Sequence, residues 1–271
     1  MVVNKIFKIL ILAFWVVPTV WAEVRMTAVF DHSSWDQLLK AHVLSANGGR
    51  STVVDYQGMA ADHQNLNRYL ATLSSVSETQ FDQWSTSDQL AFLINAYNAW
   101  TVELILTAWP DLESIKDLGG FFSSPWKKEF FTLLGKTRTL DDIEHGLIRG
   151  SGRYNDPRIH FAVNCASVGC PALRTEAHKG DQLDQQLDDQ TALFLSDQSR
   201  NRVEGNDIKL SSIFKWYRED FEKGWHGFKR LEDFLLVHAA DLKLSDSINT
   251  KLKSGNADIE FMDYDWRLNK N

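Results

Sequence analysis

The sequence predicts an α+β fold, namely one compact, mainly helical domain with a small mixed or antiparallel sheet and a buried central helix. Helical periodicity alternates with short hairpin signals along the 271 residues. A regular strand–helix–strand rhythm, which would favour a parallel sheet, is missing. No repeat or Pro/Gly-rich linker interrupts residues 23–271, so we expect a single globular domain there.

Residues 1–22 have the pattern of a secretory signal peptide. Lys5 and Lys8 precede an apolar run over 9–17, and Val20-Trp21-Ala22 offers a cleavage site. The run is shorter than the ~20 residues that a membrane span needs. We therefore expect a periplasmic or secreted protein with no membrane span after signal removal, an uncleaved anchor being the alternative.

The net charge of the chain limits the classes of binding partner that we expect. The chain has 29 Lys and Arg against 36 Asp and Glu, a net charge of −7, and 44% of its residues are hydrophobic. Proteins that bind nucleic acid usually present a basic patch that neutralises phosphates. We therefore expect no nucleic acid partner, and a small-molecule or peptide ligand of unknown identity.

The first elements of the mature chain are predicted to be amphipathic helices. Trp35, Leu38 and Leu39 follow Ser34 at helical spacing, and the stretch 66–73 repeats the pattern. Both segments should therefore place one apolar face on the core.

The longest helix is predicted to begin near 85–89, where Thr86 and Gln89 fit a capping box, and to continue to Leu106. It is apolar on nearly all sides and should be buried. Asn95 and Asn98 inside it would be costly in a membrane, which favours a soluble core. There each amide needs a hydrogen-bond partner.

The rest of the chain alternates short helices and strands. The predicted elements are a hairpin over 130–140 around Gly135-Lys136, a helix from Asp141 or Asp142 through Ile148, a buried strand over 158–164, a helix over 183–195, a hairpin over 202–210 around Gly205-Asn206, helices over 213–221 and 231–240, and a strand over 259–262.

Several common catalytic signatures are missing from the sequence. It has no GxxxxGK[ST] loop, no GxGxxG after a strand, no HExxH helix and no GxSxG elbow. Its histidines also lack the spacing of metal ligands. We therefore expect neither a cofactor nor a metal.

The segment 156–174 holds both cysteines and is the most chemically dense part of the chain. Cys165 is the candidate nucleophile, with His145 or His160 as its base, because a nearby imidazole can activate a thiol. Strand alternation would place His160 and Cys165 on opposite faces, which argues against a simple dyad. A disulfide between Cys165 and Cys170, or a pair of inert thiols, is the alternative.

Other polar residues near these segments could contact a substrate. Glu144 adjoins His145, the central helix offers amides and a phenol, and the cysteine segment adds a guanidinium and an amide. The candidate substrate-binding residues are Asn95, Tyr97, Asn98, Glu144, Arg158 and Asn164. Buried Asn can instead satisfy backbone groups, and Arg can pair with the protein's own carboxylates.

Particular segments resemble a known family. They are Phe92-Leu93-Ile94-Asn95-Ala96-Tyr97-Asn98-Ala99, Asp142-Ile143-Glu144-His145-Gly146, Asp156-Pro157-Arg158-Ile159-His160-Phe161, Asn164-Cys165-Ala166-Ser167 with Cys170-Pro171, Ile213-Phe214-Lys215-Trp216-Tyr217 and Tyr264-Asp265-Trp266. Together they resemble family 547 of the domains of unknown function. The resemblance implies an exported bacterial member of a family without an agreed activity.

The leading functional hypothesis is an exported cysteine-dependent hydrolase or transferase acting on acyl or amide groups. The alternative is a non-catalytic envelope binding or scaffold protein with a Cys165–Cys170 disulfide. A thiol–disulfide oxidoreductase is a third possibility, which the lack of a CxxC motif disfavours. The state of the two sulfurs separates the first two hypotheses.

Overall fold

The computed structural model describes residues 29–120 and 123–271. The predicted signal peptide, residues 1–22, lies outside these ranges. In the part of the chain that is described, no helix combines the length and the apolar character needed to cross a bilayer. Helices dominate and the sheets are small, which confirms the predicted α+β class.

The helices are mostly short. In chain order the α-helices are α1 Ser33–His42, α2 Tyr56–Ala61, α3 His63–Ser75, α4 Glu78–Phe81, α5 Thr86–Leu106, α6 Leu183–Ser196, α7 Ser212–Trp216, α8 Arg218–Glu222, α9 Leu231–Val237 and α10 Asp246–Ser254. A π-helix covers Asp142–Arg149. The 3₁₀ turns cover Asn47–Gly49, Ile115–Leu118, Pro125–Lys127, Pro157–Phe161, Gly180–Gln182 and Trp225–Gly227.

The strands form small sheets. They are β1 Val43–Ala46, β2 Ser51–Val54, β3 Phe131–Leu133, β4 Lys136–Arg138, β5 Arg202–Glu204, β6 Asp207–Ser211 and β7 Asp258–Met262. The pairs β1–β2 and β3–β4 are antiparallel hairpins, while β6 pairs antiparallel with β5 and parallel with β7. Both predicted hairpins and the closing strand are thus confirmed, and the three-stranded sheet is mixed.

Helix α5 is the centre of the fold, as its apolar composition predicted. Every residue from Gln89 to Val102 is buried. The helix begins one residue earlier than a Thr86 cap would require, because Ser85 is the N-cap and its side chain accepts a hydrogen bond from the Asp88 N–H. Helix α5 packs on α3 and on the π-helix, so it connects the core to the cysteine region.

The two asparagines of α5 anchor other parts of the backbone. The Asn98 amide donates to the Ala162 carbonyl at 3.0 Å and accepts from the Asn164 N–H at 2.8 Å. Asn95 makes the same reciprocal pair with the backbone of His178, at 2.8 and 3.0 Å. The expectation that each buried amide has a partner is confirmed.

Replacing Asn98 by Leu should lower the free energy of unfolding by about 1–3 kcal/mol, because the Ala162 carbonyl and the Asn164 N–H would lose their partner. Urea denaturation measures the change. Asn67→Leu on the exposed side of α3 is the control, for which we expect a change within about 0.5 kcal/mol. An unchanged midpoint for the Asn98 variant would contradict the anchoring role.

The prediction of a strand over 158–164 is wrong. Pro157–Phe161 is a 3₁₀ turn, and the chain continues irregularly to the cysteines. Pro157 restricts φ and cannot donate to a strand ladder, while the Asp156 carboxylate caps the Arg158 N–H at 2.9 Å. The alternation that separated His160 from Cys165 therefore does not apply.

The 3₁₀ turn lies between two apolar clusters. Ile159 and Ala162 belong to the larger cluster around α5. Phe161 belongs to a second cluster, whose fully buried aromatic members are Phe161, Phe194, Phe214, Phe221 and Phe234. Contacts on both sides hold His160 in place between the clusters. The assignment of one domain to residues 23–271 stays a prediction.

Candidate functional site

A cavity of about 210 Å³ lies where α5, the π-helix, the 3₁₀ turn and the cysteine turn meet. Six of the residues singled out from the sequence line it: Tyr97, Glu144, His145, His160, Cys165 and Cys170. Three segments that are far apart in sequence therefore contribute to one concavity. This is the arrangement that an enzyme or binding site requires.

The remaining candidates support the fold outside the cavity. Asn95 and Asn98 hold backbone groups, as described above. The Arg158 guanidinium pairs with the carboxylates of Asp156, Asp184 and Asp188. The amide of Asn164 donates to the Pro171 carbonyl at 2.8 Å and accepts from the Ala166 N–H at 2.9 Å. These side chains shape the cysteine turn and its surroundings, and we assign no substrate contact to them.

His160 is paired with a carboxylate that the sequence did not single out. Its Nε2 lies 2.7 Å from Oδ2 of Asp220, and both side chains are buried. A carboxylate at neutral pH only accepts hydrogen bonds, so Nε2 carries the proton and Nδ1 carries a lone pair. Nδ1 has no partner among the described residues. Burial lowers the pKa of His160, which keeps the ring neutral near pH 7 and able to accept a proton.

Asp220 is held as an anion by two cations and by the N–H of the His160 ring. Burial opposes its ionisation, but hydrogen bonds from His160, Arg149 and Lys223 outweigh that penalty and lower its pKa. The Arg149 Nε and the Lys223 Nζ each lie 2.5 Å from a carboxylate oxygen. The Tyr217 ring stacks on the imidazole at 3.9 Å. The orientation of His160 is therefore fixed from two directions.

Cys165 and Cys170 are joined by a disulfide, their Cα atoms 6.1 Å apart. Cys170 is buried, whereas Cys165 is partly exposed in the cavity. The Cys165 Sγ lies 3.0 Å from the Ser167 hydroxyl and 3.2 Å from the Tyr264 hydroxyl. Burial raises the pKa of Tyr264, so its phenol stays protonated as a donor. On reduction, two hydroxyl groups could stabilise a Cys165 thiolate.

The turn after Cys165 is built from small residues for steric reasons. Ala166 has a φ of +61°, a left-handed conformation that costs energy for a residue with a Cβ. Gly169 faces the Tyr264 ring so closely that an added Cβ would lie 3.0 Å from it. A larger residue at 169 would push Tyr264 away from the cysteine sulfur, so the glycine permits the contact between them.

Of the two candidate bases, His160 has the more suitable geometry. His145 is exposed, and its Nδ1 lies 2.8 Å from a nitrogen of Arg149. A guanidinium only donates hydrogen bonds, so it occupies the lone pair of that nitrogen. The other nitrogen of His145 is 3.8 Å from Asp141. Neighbouring Glu144 is buried and accepts a hydrogen bond from the Tyr217 hydroxyl at 2.6 Å.

No sequence signal points to Asp220, which lies among charged residues on the short helix α8. Tyr217 and Tyr264 belong to segments that resemble the family, but no sequence pattern indicates a role for either side chain. Among the described residues, no group of three or more His, Cys, Asp or Glu is placed to hold a metal ion. The site is thus defined by one disulfide, one imidazole–carboxylate pair and aromatic walls.

The structure therefore defines the protein as an α+β domain with a cavity between its central helix and a cysteine turn. Residues 81–195 match the model of the family described as "Protein of unknown function, DUF547". This match supports the family resemblance that the motifs indicated. No curated protein and no solved structure matches the chain. The match includes α5, the π-helix and the cysteine turn, while Asp220 and Tyr264 lie beyond it.

Proposed function

We propose that the protein is a thiol-dependent hydrolase or transferase that acts on acyl or amide groups after export. Reduced Cys165 is the nucleophile, the Nδ1 of His160 is the general base, and Asp220 positions the imidazole. One observation carries the proposal: the buried His160–Asp220 pair leaves an unpartnered Nδ1 on a residue that lines the same cavity as Cys165.

The chemistry follows from these roles. His160 accepts the thiol proton as the Cys165 sulfur attacks the carbonyl carbon of the substrate. The tetrahedral intermediate collapses to a thioester, and the leaving amine or alcohol takes the proton from the imidazolium. Water or an acceptor amine then attacks the thioester, with His160 again accepting and returning a proton. Cys165 is regenerated as a thiol.

The disulfide has to be opened before this chemistry can begin. A dithiol reductant supplies the two electrons: its thiolate attacks one sulfur, and its second thiol resolves the mixed disulfide. The reductant becomes a disulfide, and Cys165 and Cys170 become thiols. Attack at Cys165 is favoured because its sulfur is the more exposed of the two.

Alkylation by iodoacetamide at pH 6.5 tests the proposal. We expect no labelling of the native protein before reduction. After reduction Cys165 should react faster than a model thiol of pKa about 8.5, because the Tyr264 and Ser167 hydroxyls favour its thiolate. Mass spectrometry of the peptide containing both cysteines gives the site. Buried Cys170 is the internal control, and preferential labelling of Cys170 would contradict the assignment.

The second candidate is a non-catalytic envelope binding or scaffold protein with a permanent disulfide. The closed Cys165–Cys170 bond favours it. In that case reduction would expose no fast-reacting thiol and no acyl-enzyme would form from an activated ester. Reduction would only lower the free energy of unfolding, by roughly 2 kcal/mol for so short a loop. The labelling experiment therefore separates the two functions.

A further inference from the structure

One wall of the cavity is a group of aromatic side chains that pack on each other. Trp216 stacks on Trp266 with ring centroids 5.6 Å apart and lies 4.8 Å from the Tyr264 ring. Trp126 meets Trp266 at 5.8 Å. Although it is a large apolar residue, Trp216 is 47% exposed. Aromatic faces carry negative partial charge and attract cations, so an exposed indole at a cavity suits a cationic ligand.

Another part of the cavity lining carries negative charge, with only the His145 ring, 3.8 Å from Asp141, as an ion-pairing group among the described lining residues. Asp141 and Glu144 line the cavity, and none of the lining residues in the described ranges is Lys or Arg. Glu144 is only 6% exposed and forms no ion pair with a described residue, its hydrogen bond coming from Tyr217. A buried carboxylate without a cation is costly, and a ligand cation would offset that cost.

The chain itself shows that the aromatic wall accepts an ammonium group. The Lys116 Nζ lies 3.7 Å from the centroid of the Trp266 ring. Lys116 is not among the residues that line the cavity, so it does not itself supply an ammonium group to the cavity lining.

We propose that the substrate is an acyl or amide compound that bears an ammonium group. The cation lies between the aromatic wall and Glu144, and the carbonyl carbon faces Cys165. This inference rests on the proposed thiol function for its reaction, but cation selection is a property of the cavity alone. Binding can therefore test it separately from catalysis.

Two probes of the same shape, one cationic and one neutral, isolate the effect of the ligand charge on binding. They are the amide of γ-trimethylammonio-butyric acid and its isostere in which carbon replaces the quaternary nitrogen. Calorimetry on the disulfide form should show binding of the cationic amide about ten-fold tighter than the isostere. Equal affinity for the two amides, or a preference for the neutral one, would overturn the proposal.

Two charge-removing variants locate the effect. Glu144→Gln keeps an acceptor for the Tyr217 hydroxyl but removes the charge, and it should abolish the preference. Glu219→Gln removes one negative charge from an exposed position on α8 outside the cavity lining, and it should leave the preference intact. If Glu144→Gln does not fold, Trp216→Leu at an exposed position is the replacement, and a reduced preference is again expected.

The nitrophenyl esters of the same two acids, added to the reduced protein, relate the inference to catalysis. Faster acylation of Cys165 by the cationic ester supports both proposals. Cation-selective binding without any acylation supports selection by the cavity and contradicts the thiol function. Acylation at equal rates, together with equal binding of the amides, overturns cation selection and leaves the thiol function standing.

Discussion

Cys165→Ser is expected to abolish acylation by an activated ester, whereas Cys170→Ser should make the protein reactive without any reductant. Both variants lose the disulfide, but only the second retains Cys165, the more exposed of the two cysteines that line the cavity with His160. Loss of a catalytic nucleophile lowers activity by on the order of 10³-fold or more. The two variants differ only in which cysteine keeps its sulfur, and they should have opposite effects on acylation.

A burst of nitrophenol from nitrophenyl acetate, with the mass of the acylated peptide, measures the difference. Each variant removes the same short loop closure, which contributes roughly 2 kcal/mol, and Cys170→Ser also places a hydroxyl at a buried position. Unfolding curves should show that both variants are folded, while the bursts differ. A burst that survives in Cys165→Ser, or one that is missing from Cys170→Ser and from the reduced wild type, would refute Cys165 as the nucleophile.

The elements that the sequence predicted best are those with local causes. Residues 89–102 of α5 are apolar over several turns, which only a helix buried on all sides can satisfy. The β3–β4 hairpin turns at Leu134 and Gly135, both with positive φ. The glycine marks that turn in the sequence. In each case the signal lies within the element itself.

The strand predicted over 158–164 failed because its partner is not another strand. An alternating apolar run needs its backbone groups satisfied, and a sheet is the usual solution. Here the Asn98 side chain serves the carbonyl of Ala162 and the N–H of Asn164. A side chain more than sixty residues away in sequence thus supplies the hydrogen bonds that a neighbouring strand would otherwise make. A local sequence pattern cannot reveal such a partner.

Part of the site was predictable because its residues lie close together in the sequence. His160 and Cys165 were found because they lie close together in a segment dense in reactive groups. Asp220 follows His160 by sixty residues, between Glu219 and Phe221, where an acid has the appearance of a surface residue. Tyr264 reaches the cysteine turn because backbone hydrogen bonds join 168–169 to 265–267. Only the tertiary structure shows these approaches.

Asp220→Asn is expected to lower the acylation rate of the reduced protein by about 10² to 10⁴-fold. The carboxylate accepts the Nε2 proton of His160 and so keeps the lone pair on Nδ1. An amide can instead donate to Nε2, which moves the proton to Nδ1 and removes the base. Because the substitution impairs proton transfer, the maximal acylation rate should fall with little change in the affinity for the ester. Asp233→Asn, at a half-exposed pair with Arg230, is the control and should keep the rate.

The same substitution should lower the free energy of unfolding by about 3 kcal/mol at pH 7, because Arg149 and Lys223 lose a buried counter-ion. The pKa of Asp220 is lower in the folded protein than in the unfolded chain, so its contribution is present above the unfolded value of about 4 and is lost as the pH falls through the folded value. Urea unfolding across this range should show the wild type and the variant converging on acidification. A difference in unfolding free energy that widens towards low pH would contradict an ionised Asp220. Normal acylation by the variant would contradict the role of Asp220 in positioning His160.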